Sequence, residues 1–325
     1  MKMNILVTGG LGLIGHNIVQ MLEQQGHTAV IIDIETNYGI VPQAEIEHLM
    51  SERKQKIKST CVQKIDIVDQ IAVKWIMEKH KFDVVIHLAS FPRQKVVNAN
   101  PCLGSRAMSE GLLNLLECSK NAGINKFVYI SSSMVYGDFS DGVIEDAVCS
   151  PQGQYGIMKL AGEWLVKDYT RRTDMKYTII RPSAVYGPLD VEDRVIAKFM
   201  SQAIRGETLK VNGAEETLDF TYVEDAARGI TQAALSDNTA NKTYNITRSK
   251  SVTLAEAAEL SVAIAGSGSI EVRGKDAAFP SRGTLCIDAA RYDFGYDPII
   301  DVEAGFKLYY DWLSNDPFYK SKTAV

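Results

Sequence analysis

Short unbroken apolar runs alternate, along the first half of the chain, with stretches in which apolar side chains return every three or four positions. The short runs, at 5–7, 29–32, 61–65, 84–88, 127–130 and 177–180, predict strands. The periodic stretches, at 13–25, 67–80, 101–122 and 155–172, predict helices, and Gly26 sits where a helix-ending glycine belongs. Strands that are apolar at every position bury both faces, which points to a parallel sheet with helices on either side. Right-handed crossovers then give a doubly wound α/β fold. After Gly187 the rhythm changes to helices near 194–204, 254–265 and 302–312 with short strands between them. The expected division is a sheet domain of 1–187 plus about 218–248, and a smaller α/β lobe of about 188–217 plus 249–325. In that scheme 218–225 and 244–246 return to the main sheet.

Composition narrows the field. A net charge of −5 offers no basic excess for a nucleic acid, and no apolar run is long enough to span a bilayer. The start of the chain does not read as a secretion signal. The five cysteines are scattered without CxxC spacing, so reduced thiols in a cytoplasmic protein are expected. The five histidines form no HxxxH pair, so no metal site is expected. Trp75, Trp164 and Trp312 fall on predicted helices and read as core residues. The charged stretch 51–58 reads as a solvated helix or loop, and Cys149 as inert.

Candidate chemistry begins at Thr8-Gly9-Gly10-Leu11-Gly12-Leu13-Ile14-Gly15. Two spacings overlap there: Gly10, Gly12 and Gly15 fit GxGxxG, and Gly9, Gly12 and Gly15 fit GxxGxxG. Either lets a backbone turn approach a pyrophosphate with no Cβ in the way, while the helix opened by Leu13 and Ile14 aims free N–H groups at the charge. A strand before the glycines and a helix after them is the context of a Rossmann dinucleotide site. Asp33, with Ile34 beside it, ends the second strand 18 residues past Gly15. Its carboxylate suits the hydroxyls of an adenosine ribose and opposes a 2′-phosphate, favouring NAD over NADP. Asp66 and Ile67 follow the third strand and can bracket the adenine, with a helix N-cap as the alternative for Asp66. Leu88, Ala89 and Ser90 end the fourth strand at the same crevice.

Tyr155 and Lys159 lie four apart on a predicted helix and so share a face. A phenol loses its proton near pH 10, but a neighbouring ammonium and a positively charged nicotinamide both favour the phenolate. Tyr155 can then accept a hydroxyl proton as hydride leaves the carbon, with Lys159 also gripping the nicotinamide ribose. The run Ser131-Ser132-Ser133-Met134-Val135-Tyr136-Gly137 follows an apolar strand, which puts serine hydroxyls at the crevice.

In this order, TGGLGLIG, FDVVIHLAS, YISSSMVYG, YGIMK, RPSAVYGP and LDFTYVED resemble the extended short-chain dehydrogenases, the NAD-dependent epimerase/dehydratase family. The resemblance covers nearly the whole chain. It implies tightly held NAD, a nucleotide-diphosphate sugar as substrate, and a catalytic set of Ser132, Tyr155 and Lys159 with Ser133 as a polar neighbour. It also implies a homodimer formed through helices near 101–122 and 155–172. The family's 4,6-dehydratases carry an Asp-Glu pair where this chain has Ser133-Met134, its sugar-acid decarboxylases place Glu at the second position, and its GDP-mannose 3,5-epimerases use Cys there. What remains is chemistry needing only hydride transfer, epimerisation at C4 or simple oxidation or reduction there, and the expected reaction is epimerisation through a transient 4-keto sugar. A nucleotide-sugar 4-dehydrogenase or ketoreductase is the close alternative, and a silent NAD-binding regulator the alternative of another class. Typical UDP-galactose 4-epimerases have Asn, Asn and Arg where this chain has Met108, Ala184 and Leu218, so that specificity is not carried over. Arg194 and Arg282 are the replacement partners expected for the diphosphate, and Arg93 is placed to reach the sugar.

Overall fold

The computed structural model describes residues 1–58, 61–276 and 279–323. The apolar runs become the strands of one parallel sheet: β1 (Asn4–Thr8), β2 (Thr28–Asp33), β3 (Cys61–Lys64), β4 (Val84–His87), β5 (Lys126–Ile130) and β6 (Lys176–Pro182). Four short strands follow: β7 (Val185–Tyr186), β8 (Thr208–Asn212), β9 (Thr217–Leu218) and β10 (Thr221–Tyr222). Then β11 (Lys242–Ile246) completes the sheet, and β12 (Val252–Thr253) and β13 (Ser269–Arg273) lie beyond it. The sheet runs β11-β6-β5-β4-β1-β2-β3. Its order reverses between β1 and β4, and a crevice opens there at the carboxyl ends of the strands.

Alternate residues of each strand feed two separate cores. Ile5, Val7, Ile31, Ile86, Val128 and Ile130 pack on one face with α1 (Leu13–Gln24), while Leu6, Val30, Ile32, Val85, Phe127 and Tyr129 pack on the other. The second face is covered by α3 (Gln70–His80), while α2 (Gln43–Gln55) lines the cleft with Ile46, Met50 and Arg53. A short helix, α4 (Gln94–Ala99), precedes the helix expected at 101–122, which runs unbroken as α5 (Pro101–Ser105), a π-helical turn over Arg106–Glu110 and α6 (Gly111–Asn121). Pro101 starts α5 because it lacks the N–H that a continuous helix would need. The catalytic candidates Tyr155 and Lys159 lie on α7 (Gly153–Arg171), and Ser132 follows β5.

A third core gathers α8 (Val195–Ile204), α10 (Leu254–Ala265) and α12 (Val302–Asn315) around Phe199, Phe220, Phe306 and Tyr309. Between them α9 (Val223–Leu235) returns to the first core through Ile230, and α11 (Asp288–Phe294) packs beside it. The expectation that 218–225 rejoins the main sheet fails for its strand residues. Thr221–Tyr222 pairs with Val185–Tyr186, and Leu218 pairs with Val252. The reason is burial: Leu218, Phe220 and Tyr222 all face the third core. Two tryptophans also depart from expectation. Trp75 is 46% exposed and Trp164 is 66% exposed, each with a lysine ammonium over its ring rather than core around it. Only Trp312 packs against buried neighbours. All five cysteines are free, and no helix among the described residues is long and apolar enough to cross a membrane.

Candidate active site

One cleft of about 1310 Å³ follows the carboxyl edge of the sheet, and every candidate site residue named from the sequence except Gly10 lines it. The glycine turn forms its floor. Gly9 adopts φ +68°, and a Cβ there would stand 2.7 Å from the Ala89 backbone nitrogen. On Gly15 it would stand 2.4 Å from the Gly9 carbonyl oxygen. Gly10 instead faces the Ile31 side chain in the core and leaves the cleft untouched, so the working triplet is Gly9, Gly12 and Gly15. Gly12 caps α1 without any side-chain hydrogen bond, leaving the first N–H groups of the helix, beside Leu13 and Ile14, directed at the cleft. This cradle fits a dinucleotide pyrophosphate: it is glycine where a Cβ would fill it, and it has donors where charge would sit.

Asp33 ends β2 at the cleft with Ile34 beyond it. Its carboxylate accepts from Leu11 N at 3.0 Å and Glu35 N at 2.9 Å, which orients it. Burial raises its pKa and these N–H groups oppose the rise. Asp66 and Ile67 line the far end. Asp66 accepts from Val68 N at 3.0 Å in a turn, and the cap of α3 is Asp69 instead. Leu88, Ala89 and Ser90 form the adjoining wall. The Thr8 hydroxyl accepts from Ala89 N at 3.2 Å and meets His87 Nδ1 at 2.7 Å. Burial, reinforced by the nearby Lys159 charge, lowers His87 to about 3, so its imidazole is neutral.

Ser132 follows β5 in extended conformation, and its Oγ accepts from Met134 N at 3.2 Å. Its hydroxyl is also hydrogen-bonded to the phenol of Tyr155. Burial raises the pKa of that phenol, and the Arg194 charge and the Ser132 hydrogen bond pull it back. Lys159 lies one turn on with its Nζ 5.9 Å from the Tyr155 ring centre, donating to the Ile130 carbonyl at 2.8 Å. Burial brings this ammonium down to about 7 against the opposing charge of Glu163. Ser133 turns aside to bond Ser183 Oγ at 3.1 Å. The structure therefore brings together a phenol, a serine hydroxyl and an ammonium, an arrangement that can move one hydroxyl proton.

The opposite wall carries the arginines. Arg93 donates to the Asp193 carbonyl at 3.0 Å and pairs with the Asp193 carboxylate, so it is already engaged. Arg194 stands 3.7 Å from Asp190, whose second carboxylate oxygen is buried without a partner. Arg282 reaches the Met134 thioether at 3.8 Å and keeps a buried, unpartnered Nε. Burial lowers Arg282 to about 10 against the Glu216 charge. The backbone of this wall is unusual: Ala184 and Leu189 hold φ +39° and +68°. Met108 and Leu218, the other two departures from the UDP-galactose epimerase pattern, are buried among apolar side chains.

Sequence reasoning missed two residues. Arg53 belongs to the stretch 51–58 expected to be solvated, yet it is buried. It donates to Leu11 O at 2.9 Å and Leu189 O at 2.6 Å, tying the glycine turn to the arginine wall. Nothing in its local sequence marks this. Glu163 lies on the buried face of the catalytic helix itself, and its signal was available: it comes four residues after Lys159, on the same face. Cys149 has no activating partner, and burial pushes its thiol up, away from reactivity.

The sequence model described as the NAD dependent epimerase/dehydratase family matches residues 5–247. The chain belongs to this family. Among family members, the uncharacterised UDP-glucose epimerase YtcB of Bacillus subtilis is 27% identical, over 96% of this chain and 98% of the relative. A UDP-glucuronate 4-epimerase of Thermodesulfobacterium geofontis is 30% identical over 69% of each chain. The crystal structure of the UDP-glucuronic acid 4-epimerase of Bacillus cereus, in complex with UDP-glucuronic acid and NAD, superposes with a TM-score of 0.86. That match spans 95% of this chain and 98% of the other at 27% identity. The UDP-glucose 4-epimerase of Thermotoga maritima, solved with UDP-glucose, gives 0.85 at 25% identity over 98% and 100%. The seven-stranded Rossmann architecture is thus that of the family's sugar epimerases.

Proposed function

We propose that this chain is an NAD-dependent epimerase that interconverts two nucleotide-diphosphate sugars differing at C4, through a transient 4-keto sugar. The observation that carries the reading is Ser132, Tyr155 and Lys159 converging in a cleft whose adjacent Ser133-Met134 offers no second acid–base pair. Water loss or decarboxylation would need such a pair, and a thioether and a hydroxyl already bonded to Ser183 cannot supply it.

Bound NAD supplies a hydride acceptor that returns the same hydride, so the cycle is redox-neutral. In our reading Gly9, Gly12 and Gly15 admit its pyrophosphate to the helix opened by Leu13 and Ile14. Asp33 with Ile34 takes the adenosine ribose, Asp66 with Ile67 flanks the adenine, and Leu88, Ala89 and Ser90 line the nicotinamide side. Tyr155 takes the C4 hydroxyl proton while Ser132 holds the oxygen, and gives the proton back when hydride returns to the other face. Lys159 stabilises the phenolate and holds the nicotinamide ribose. Arg282 and Arg194 receive the sugar's diphosphate, and Arg93, fixed by Asp193, borders the sugar.

Purified enzyme incubated with UDP-glucose, UDP-galactose and the corresponding uronates should interconvert one pair with no net NADH. Accumulated ketone or stranded NADH would replace this reading with a dehydrogenase or ketoreductase. Tyr155→Phe should lower turnover by roughly 1,000-fold or more while the protein still binds NAD. Retained turnover in that variant would remove Tyr155 from the mechanism.

We further infer a homodimer through α6 and α7. Ile157 (51% exposed) and Trp164 lie seven residues apart on one face of α7, with Leu103 and Leu113 exposed on the neighbouring helices. Trp164→Glu should halve the mass seen by light scattering, and an unchanged mass would exclude this face. The five free cysteines suit a reducing, cytoplasmic setting.

A further inference from the structure

We propose that Glu163 is a positioning residue for the reaction: it ties Ser132 and Lys159 together through Ser131 and Arg181, and it supplies the counter-charge that a buried ammonium needs. The proposal rests on the epimerase reading above for its kinetic test. Glu163 Oε1 accepts from Ser131 Oγ at 2.6 Å and from Arg181 Nε at 2.9 Å, and Oε2 accepts from Arg181 Nη2 at 2.7 Å. Ser131 is the residue before Ser132, and Ile130 before it receives the Lys159 ammonium. Helix α7 and the end of β5 are therefore pinned twice, at the two consecutive residues that lead into the catalytic serine. Arg181 extends the link, donating to the Tyr136 hydroxyl and the Glu145 carbonyl at 2.8 Å each, and Tyr136 donates to Asn245 at 2.8 Å.

A buried ion pair is a poor device for stability alone, since its desolvation offsets most of the attraction. Its placement here suggests another use. The groups facing Lys159 are the Tyr129 ring on β5 at 5.3 Å, the neutral His87 on β4, and Tyr155 and Glu163 on its own helix. Arg181 on β6 lies beyond Glu163. Of these, Glu163 alone is an anion when Tyr155 is a phenol. Remove its charge and Lys159 loses its proton at lower pH, with the uncompensated Arg181 pushing the same way.

The test uses Glu163→Gln in the NAD-loaded enzyme. Its kcat should fall about tenfold or more with little change in KM, and the alkaline limb of the kcat profile should move down by about one pH unit. Glu163→Asp keeps the charge and should return the limb to its original position, whatever its kcat. A purely structural role would lower the Tm but leave the limb in place. Should Glu163→Gln not fold, Glu163→Gln/Arg181→Met removes both charges together, and a downward shift smaller than that of the single variant is expected, because Arg181 no longer adds to it. The pH dependence of Lys159 acetylation by acetic anhydride, followed by peptide mass spectrometry, reads the same proton without any sugar. An unmoved limb or acetylation midpoint in a folded variant overturns the proposal. Wild-type protein that interconverts no sugar overturns the epimerase reading instead, and leaves the acetylation midpoint to decide the role of Glu163.

Discussion

Across the cleft, the wall made by residues 9–15 and the wall made by residues 182–194 differ in what holds them. The first is backbone: Gly9 N donates to Ile32 O at 2.8 Å, Gly12 N to Gly9 O at 3.0 Å, and glycines make the approach possible. The second is side chains in exchangeable pairs, with Asp193 alone receiving Arg93, Lys95 and Lys198. A backbone cradle accepts a ligand part that never changes, here the family's dinucleotide. A wall of paired charges can be rewired residue by residue, which suits a substrate that differs between relatives.

The sharpest way to break this contrast is to fill the cradle. Gly15→Val puts a Cβ against carbonyl and Cα atoms that cannot move aside. NAD affinity, measured by calorimetry, should fall by about 100-fold or more, since no side-chain rotation relieves such overpacking. Near-normal affinity would mean that the dinucleotide does not use this turn. Arg53 joins the two walls, so Arg53→Met should harm both. It leaves the Leu11 and Leu189 carbonyls without their donor, costing about 3 kcal/mol in urea unfolding. NAD affinity and sugar KM should worsen together, and a change in only one would show the walls to be independent.

The smallest effect concerns His87, beneath the cofactor wall. Its pKa is lowered from 6.5 to about 3 by burial. The unfolded chain therefore binds this proton below pH 6.5 while the native protein does not, so stability present above that pH is lost as pH falls towards 3. His87→Asn keeps an acceptor for Thr8 but cannot titrate. Its loss of stability between pH 7 and pH 5 should be about 2 kcal/mol smaller than that of the wild type. Equal losses would place the acid sensitivity elsewhere.

The same contrast explains what could be read from sequence. The glycines, Asp33, and the Tyr155–Lys159 pair are local patterns whose spacing already states their geometry. The arginine wall is assembled from segments around 93, 190 and 282 that only the fold brings together, so its pairs were invisible even where its arginines were named. Arg53 was misread because a run of charges normally faces water, whereas α2 turns this one inward to the carbonyls of Leu11 and Leu189. Trp164 was misread for the opposite reason: a large apolar side chain on a helix was assigned to the core, and it lies on an open face.

Ala184 and Leu189 keep left-handed backbone angles that cost an ordinary side chain about 1–2 kcal/mol apiece. Asparagine, which the UDP-galactose enzymes carry at the first of these positions, tolerates that shape far better. The loop therefore holds a course at position 184 that asparagine would fit better than alanine. Such a segment is a natural point for change, because one substitution at the cleft-lining position 184 alters the cleft wall and relieves tension at the same time, while the sheet beneath stays as it was.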